Sequence, residues 1–299
     1  MKVAVAGVTG LIGRRLAAAL VDRGDDVVGL SRGAAAVPGV RMVRWNPADG
    51  PVPPGLLHDV DAVVNLAGAP IGRGRWTAAR KREIRDSRVV TTRRIVEALG
   101  GGGPRTLVNA SAVGYYATGE QEVDESAPAG EGFLAEVCTA WEAAARSAED
   151  AGVRVVRARM GVVLAREGGA LPTMALPVRL LAGGPLGGGR QWVPWIHVAD
   201  AVGLILLALD RDRVSGAMNV TAPRPARQRD LVTAIARALG RPAVLPAPAV
   251  LVRLALGEMS VMALEGQRAA PRVALDAGYR FAYEDVLEAV RAELAPATP

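Results

Sequence analysis

The chain has 299 residues, half of them hydrophobic, which excludes a disordered or fibrous sequence and allows one large domain or two smaller ones. Its formal charge of +6 is carried by scattered arginines, with lysine only at Lys2 and Lys81 and no basic run interleaved with stacking aromatics, so nucleic acid is not an expected partner. The single cysteine, Cys138, excludes an internal disulfide and a cysteine zinc cluster, and no apolar run is long and unbroken enough to span a bilayer.

Residues 1–20, MKVAVAGVTGLIGRRLAAAL, organise the rest. A short apolar run reads as a buried strand, and a helical pattern follows at once through Gly7, Gly10 and Gly13. Each glycine has its own physical use: Gly7 for a tight turn, Gly10 for close approach of main-chain N–H groups to a diphosphate, Gly13 for contact between helix and strand. The helix start offers unpaired N–H groups and roughly half a positive charge to an anion. Bracketed by strand and helix, the triplet reads as a dinucleotide-binding turn rather than an ordinary strand–helix turn. Because the first strand opens at Lys2, no leader is expected, and the chain reads as a soluble cytoplasmic protein with no membrane partner.

Strands and helices then alternate, the pattern of a parallel sheet covered on both faces. Asp26–Ser31 (DVVGLS) is the second strand, 40–45 a short third, and 61–66 (DAVVNL) a fourth running into Ala67 and Gly68. Residues 77–99 predict a helix on Ile84, Val89, Ile95, Val96 and Leu99, stopped by the glycines at 100–103 and Pro104. A fifth strand follows at 105–111 (RTLVNAS), then a helix at 133–151 and a sixth strand at 153–164. Beyond this, glycine and proline clusters (EGGALP, AGGPLGGG) separate short segments, with helices at Gln228–Leu239 and 283–294. The expected fold class is α/β: a Rossmann-type doubly wound parallel sheet over 1–165, with 192–222 returning to it, and a smaller C-terminal substrate-binding domain over 166–299.

The carboxylate that takes an adenosine ribose 2′-hydroxyl belongs at the end of the second strand, about twenty residues after the glycine turn. Leu30-Ser31-Arg32 stands there instead, and Asp25 and Asp26 lie at the strand's start, on the opposite edge of the sheet. A serine hydroxyl followed by a guanidinium suits a 2′-phosphate, which arginine grips through two parallel hydrogen bonds. Ser31 and Arg32 therefore predict NADP(H) over NAD(H); the plainer alternative is a surface arginine in an arginine-rich chain.

The motif AGVTGLIG at 6–13 resembles that of extended short-chain dehydrogenases/reductases, and NLAG at 65–68, NASA at 109–112 and WIHVAD at 195–200 follow in order. RWTAARK at 75–81, SAVGYY at 111–116, GGGRQW at 187–192 and GQRAAP at 266–271 narrow the resemblance to the atypical subgroup called epimerase family proteins, nucleoside-diphosphate-sugar epimerase-like, over essentially the whole chain. The resemblance implies a Rossmann-type domain, NADP(H) and a small polar substrate. It implies Gly7, Thr9, Gly10, Leu11, Ile12 and Gly13 around the diphosphate, Ser31 and Arg32 at the 2′-phosphate, and Ala67 and Gly68 on the ribose and adenine side. It also sets Ser111 where the superfamily has a catalytic serine, at the end of the fifth strand. Such proteins often pair through the helices flanking the sheet, which leaves a homodimer open.

Active members of the superfamily carry Tyr-x-x-x-Lys on the helix after the fifth strand, where one helical turn sets the ammonium beside the phenol and lowers its pKa for proton exchange. No such pair occurs here: four residues beyond Tyr115, Tyr116, Tyr279 and Tyr283 stand Gly119, Glu120, Tyr283 and Leu287, and the expected helix reads GFLAEVCTAWE at 132–142. Ser111, at a strand end where open α/β sheets bind ligands, is the first candidate as a donor to a substrate oxygen or the nicotinamide amide, with a strand-end cap as the alternative. Tyr115 and Tyr116 are the substitute acid or an aromatic plug in the pocket floor. Arg159, Arg190 and Arg268 are candidate substrate contacts, gripping phosphate or carboxylate, or else structural ion pairs. Arg75 and Lys81 either rim the cleft or belong to a solvated helix face, and Asp124 and Glu125 fit a loop surface better than the other role open to them, supplying a catalytic carboxylate. His197, just ahead of a helix, fits packing or a hydrogen bond better than catalysis, and two distant histidines make no metal cluster.

Two functions stay open. The first is an NADP(H)-dependent oxidoreductase or epimerase-like enzyme acting on a small polar, anionic substrate of nucleotide-sugar-like chemistry, with Ser111 polarising the reacting oxygen. The second is a sensor or scaffold that binds NADPH without turnover, which the missing Tyr–Lys pair favours.

Overall fold

The computed structural model describes residues 1–99 and 103–295, so most of the glycine stop assigned at 100–103 lies outside the described residues. β1 (Lys2–Ala6) turns Val3 and Val5 into one core and Ala4 and Ala6 into another, as a strand buried on both faces must. α1 (Leu11–Asp22), β2 (Asp26–Ser31) and β3 (Val40–Arg44) complete one half of the sheet. The other half comes from β4 (Ala62–Asn65), α2 (Ala78–Glu97), β5 (Thr106–Ala112), the short β6 (Glu122–Val123), α3 (Phe133–Arg146) and β7 (Arg154–Met160). β8 (Val162–Ala165), β9 (Gly168–Gly169), α4 (Leu171–Arg179), β10 (Trp192–Val193) and β11 (Trp195–His197) lead into α5 (Val198–Asp210) and β12 (Gly216–Val220). The remainder is β13 (Ala226–Arg227), α6 (Gln228–Leu239), α7 (Ala249–Leu256), α8 (Val261–Leu264), β14 (Arg268–Ala269), α9 (Arg272–Asp276) and α10 (Val286–Leu294).

Seven strands form one parallel sheet in the order β12-β7-β5-β4-β1-β2-β3. The order reverses between β1 and β4, and a ligand crevice opens outside the carboxyl ends of strands at such a switch point. α1 and α5 cover one face, α2 and α3 the other. A third apolar core ties α4, α6 and α10 to β8 and β11 around Leu164, Leu171, Trp195, Leu231 and Ile235.

Three elements differ from the sequence pattern. The strand expected over 153–164 is two, because the chain leaves the large sheet at Gly161, where a Cβ would lie 2.2 Å from the Pro194 carbonyl oxygen. β8 then pairs with β11 and β9 in a small sheet of its own. The helix expected to residue 151 stops at Arg146 and resumes only as a single tight turn at Glu149–Ala151. The last helix starts at Val286 rather than 283, because Asp285 accepts from the N–H groups of Leu287 and Glu288 and fixes its first turn. Within 192–222, α5 lies on α1 and β12 is the edge of the large sheet, whereas β10 pairs with β13 outside it. No helix among the described residues is long and apolar enough to cross a membrane.

Candidate functional site

The turn after β1 is shaped by main chain. Gly7 has φ +79°, a conformation that side chains rarely adopt, and a Cβ there would come within 2.9 Å of the Ala67 nitrogen. At Gly13 a Cβ would lie 2.3 Å from the Gly7 carbonyl oxygen, so helix and turn meet backbone to backbone. Gly10 is the N-cap of α1, with no side chain to cap the helix and no acid in the first turn. The opening N–H groups of α1 are thus left for an external anion, with Thr9, Leu11 and Ile12 half-buried along the same turn.

Ser31 ends β2 and its hydroxyl accepts from the Gly33 N–H at 3.3 Å. Arg32 beside it is exposed, and among the described residues no carboxylate pairs with it. Asp25, at the other end of the strand, is engaged by the Met1 amine at 2.8 Å and by Arg23 at 2.5 Å. This donor set fits a dinucleotide with an added phosphate: bare amides for the diphosphate and a free guanidinium where a ribose hydroxyl would call for an acid.

Across the switch point, the Ala67 N–H donates to Asn65 Oδ1 at 3.2 Å. Arg88 of α2 lies against Gly68, where a Cβ would sit 3.2 Å from the guanidinium carbon. Its Nη2 donates to the Ala69 carbonyl at 3.1 Å, its Nη1 to the Ile84 carbonyl at 2.9 Å, and its plane lies 5.2 Å from the Trp141 ring centre. Among the described residues it meets no carboxylate, and burial pulls its pKa below that of an ordinary arginine.

Ser111 sits near the end of β5, buried, its hydroxyl donating to Glu142 Oε1 of α3 at 2.7 Å. Arg159 of β7 donates to the same carboxylate from Nε at 2.7 Å and Nη2 at 2.9 Å, and Arg157 adds a contact at 3.2 Å. Arg159 Nη1 also donates to the Tyr116 hydroxyl at 2.7 Å, and that hydroxyl donates to Asn219 Oδ1 of β12 at 2.7 Å. Burial pushes the Tyr116 phenol up to about 12, so it is neutral and fully engaged: the aromatic plug, not an acid facing the cleft. Arg159 is 2% exposed and is the structural ion pair of its two readings, not a free grip on substrate. Tyr115 is half-buried, its ring 3.6 Å from the Arg159 guanidinium carbon, with its hydroxyl outside the hydrogen-bond network of the described residues. Cys138, one helical turn before Glu142, has its thiol pushed up to about 11 by burial and by the Glu142 charge and stays neutral.

Glu125 is not a loop-surface residue. Its Oε1 accepts from the N–H groups of Asn219 at 2.9 Å and Val273 at 3.3 Å, Oε2 is buried without a partner among the described residues, and burial raises its carboxyl above the usual range. Arg190 is exposed and borders two adjoining depressions of about 380 and 360 Å³, the first shared with Glu120, Arg227 and Arg229, the second with Trp192 and Gln191 among others. Arg227 stacks 3.6 Å over Trp192 and holds Glu120 by two hydrogen bonds of 2.8 and 2.7 Å. Arg268 lies 5.2 Å over the same indole and pairs with Glu122 at 3.2 Å.

The chain matches the model of the NAD dependent epimerase/dehydratase family over residues 3–221 and that of a domain of unknown function, DUF1731, over residues 247–293. It belongs to the NAD dependent epimerase/dehydratase family. An epimerase family protein of Mycobacterium bovis is 43% identical over 290 residues, covering 96% of each chain. The crystal structure of human epimerase family protein SDR39U1 (isoform 2) with NADPH superposes at TM-score 0.89 and 35% identity, over 98% of this chain and 99% of that one. A UDP-glucuronic acid 4-epimerase from Bacillus cereus, in complex with UDP-glucuronic acid and NAD, shares the fold at TM-score 0.81 and 17% identity, over 98% of each chain.

Within this epimerase/dehydratase fold, the sequence reading missed Glu142 and Arg88. Both signals were local. Glu142 falls on the face of α3 that buries Cys138, Trp141 and Ala145, and a charge on a buried face demands a partner. Arg88 stands midway between buried Ile84 and Thr92, one helical turn from each, on the inward stripe of α2.

Proposed function

We propose that this family member is an NADP(H)-dependent epimerase or oxidoreductase acting on a small polar, anionic substrate, with nucleotide sugars within the class. The observation that carries the reading is the uncapped start of α1 together with a free Arg32 at the end of β2. The human relative crystallised with NADPH supports the cofactor, and the UDP-glucuronic acid complex of the distant epimerase supports the substrate class.

Bound NADP(H) supplies the hydride. Main chain at Gly7, Thr9, Gly10, Leu11, Ile12 and Gly13 holds the diphosphate, Ser31 and Arg32 hold the 2′-phosphate, and Ala67, Gly68 and Arg88 line the ribose side. Ser111 turns its hydroxyl from Glu142 to the reacting oxygen and polarises it, and Tyr115 gives its phenolic proton to that oxygen and recovers one from solvent. Arg190 and Arg268 hold the anionic end of the substrate beside Trp192. The sheet domain with 192–222 is then the cofactor half, and the rest of the C-terminal part is the substrate half.

The test is Ser111→Ala, assayed for NADPH affinity by fluorescence and for turnover against carbonyl compounds and nucleotide sugars. The variant should bind NADPH as the parent does and lose about a hundredfold in kcat, the scale of one donor removed from a developing oxyanion. The absence of a Tyr-x-x-x-Lys pair, with Ser111 engaged by Glu142, favours a second reading, an NADPH-binding sensor or scaffold. Tight NADPH binding with no turnover by the parent across the whole panel would decide for it.

A further inference from the structure

We propose that the outer face made by α4, the segment at 180–187, residues 243–248 and α7 docks the protein onto an anionic lipid bilayer. Three backbone hydrogen bonds make these pieces one surface: Leu245 N–H to Gly183 O at 3.1 Å, Ala247 N–H to Pro185 O at 2.9 Å, and Gly187 N–H to Ala247 O at 2.8 Å. On it Leu176, Leu180, Val244, Val250, Leu251 and Leu254 are each between 55% and 76% exposed. α7 is apolar on every side except Arg253, yet buries only Val252. A helix apolar on nearly all sides is ordinarily interior.

Charge selects the occupant. Within 171–189 and 240–257 the charged residues are Arg179, Arg241 and Arg253, with no aspartate or glutamate. All three arginines are exposed, and none meets a carboxylate among the described residues. A second copy placed on this face would bring three further guanidinium groups against the first three with no anion between them, which disfavours self-association. Leucines and valines on the same helices as the unpaired Arg179 and Arg253 suit a headgroup layer instead: the apolar side chains enter the acyl boundary and the guanidinium groups stay with phosphate. Arg75, from the segment before α2, donates to the Leu254 carbonyl of α7 at 2.8 Å. The expectation of no membrane partner came from the lack of a spanning run, and docking on the surface needs none.

The test is sedimentation of the full chain with vesicles of phosphatidylcholine alone and with about a third phosphatidylserine. The proposal expects binding to the anionic vesicles at least about tenfold tighter than to the neutral ones, weakened by salt. Arg179→Ala/Arg253→Ala should weaken it about 25-fold, near fivefold per arginine. Leu180→Asp/Leu251→Asp should abolish it while NADPH affinity, read by fluorescence, stays that of the parent. No binding to either vesicle, or binding that both double variants retain, overturns the proposal. So does a dimer in equilibrium sedimentation that Leu251→Asp splits while the parent ignores vesicles, because the face then belongs to a second copy.

Discussion

The two ends of the crevice are built from different material. At 7–13 the groups on offer are main-chain amides, and at Gly7 and Gly13 a side chain is kept out by the contacts of 2.9 and 2.3 Å that a Cβ would make. Around Ser111 the working groups are side chains from β5, α3, β7 and β12, packed away from water and bound to one another at 2.7–3.2 Å. The first kind of site has no room for a side chain at those two glycines. The second tolerates no lost partner, because a buried charge left alone costs far more than the pair contributes when intact.

The sharpest way to break that contrast is Glu142→Ala. It strips the acceptor from Arg159 and Ser111 and leaves Arg157 without its 3.2 Å contact. Urea denaturation should show a loss of about 3–5 kcal/mol, the range for removing one member of a buried ion pair. A loss below about 1 kcal/mol would mean that water reaches the cluster, and the two ends would then differ in composition but not in physics.

Arg32→Ala probes the other end. Arg32 is exposed and has no carboxylate partner among the described residues, so the variant should unfold like the parent. Its NADPH affinity should fall by about 1.5–3 kcal/mol, the weight of hydrogen bonds to a charged group, while NADH affinity stays unchanged. Paired titrations that show equal weakening of both nucleotides would remove Arg32 from the 2′-phosphate.

The same contrast explains what was legible in the chain. The glycine turn, β2 and the Ser31–Arg32 pair all fall within the first 32 residues, and the sequence signals that mark them are local. The bounds of β2 and α6 could be read from the chain alone because a short apolar run between Asp26 and Ser31 in one and helical spacing with a Gly240 stop in the other are local signals. The break at Gly161 was not legible, since the atom that forces it belongs to Pro194. Tyr115 and Tyr116 could not be told apart as neighbours in a loop. What separates them is Asn219, more than a hundred residues away, which engages one phenol and not the other. Arg159 kept two readings, substrate grip and structural ion pair, for the same reason, because its partner Glu142 lies on a different element.

The smallest expected effect comes from His197, which lies between the two cases: buried, but only partly satisfied. Its Nδ1 accepts from the Ala199 N–H at 3.1 Å and caps α5, so the ring proton sits on Nε2. Nε2 lies 2.9 Å from Glu293 Oε1 of α10 but off the line that a hydrogen bond requires, and the ring stacks on Tyr283 at 3.9 Å. Burial draws the imidazole below its ordinary 6.5, against the opposing pull of Glu293 and Asp200. The folded protein therefore takes up the proton less readily than the unfolded chain. Stability contributed by the neutral ring is present in full above the ordinary value and is lost as pH falls through it toward the lower folded one. Melting curves between pH 7.5 and pH 5 should fall more steeply for the parent than for His197→Asn, whose amide oxygen can still cap α5 but does not titrate. If the parent instead gains stability over the Asn variant on acidification, the Glu293 carboxylate outweighs burial, and the C-terminal helix is held by an ion pair rather than by packing around a neutral ring.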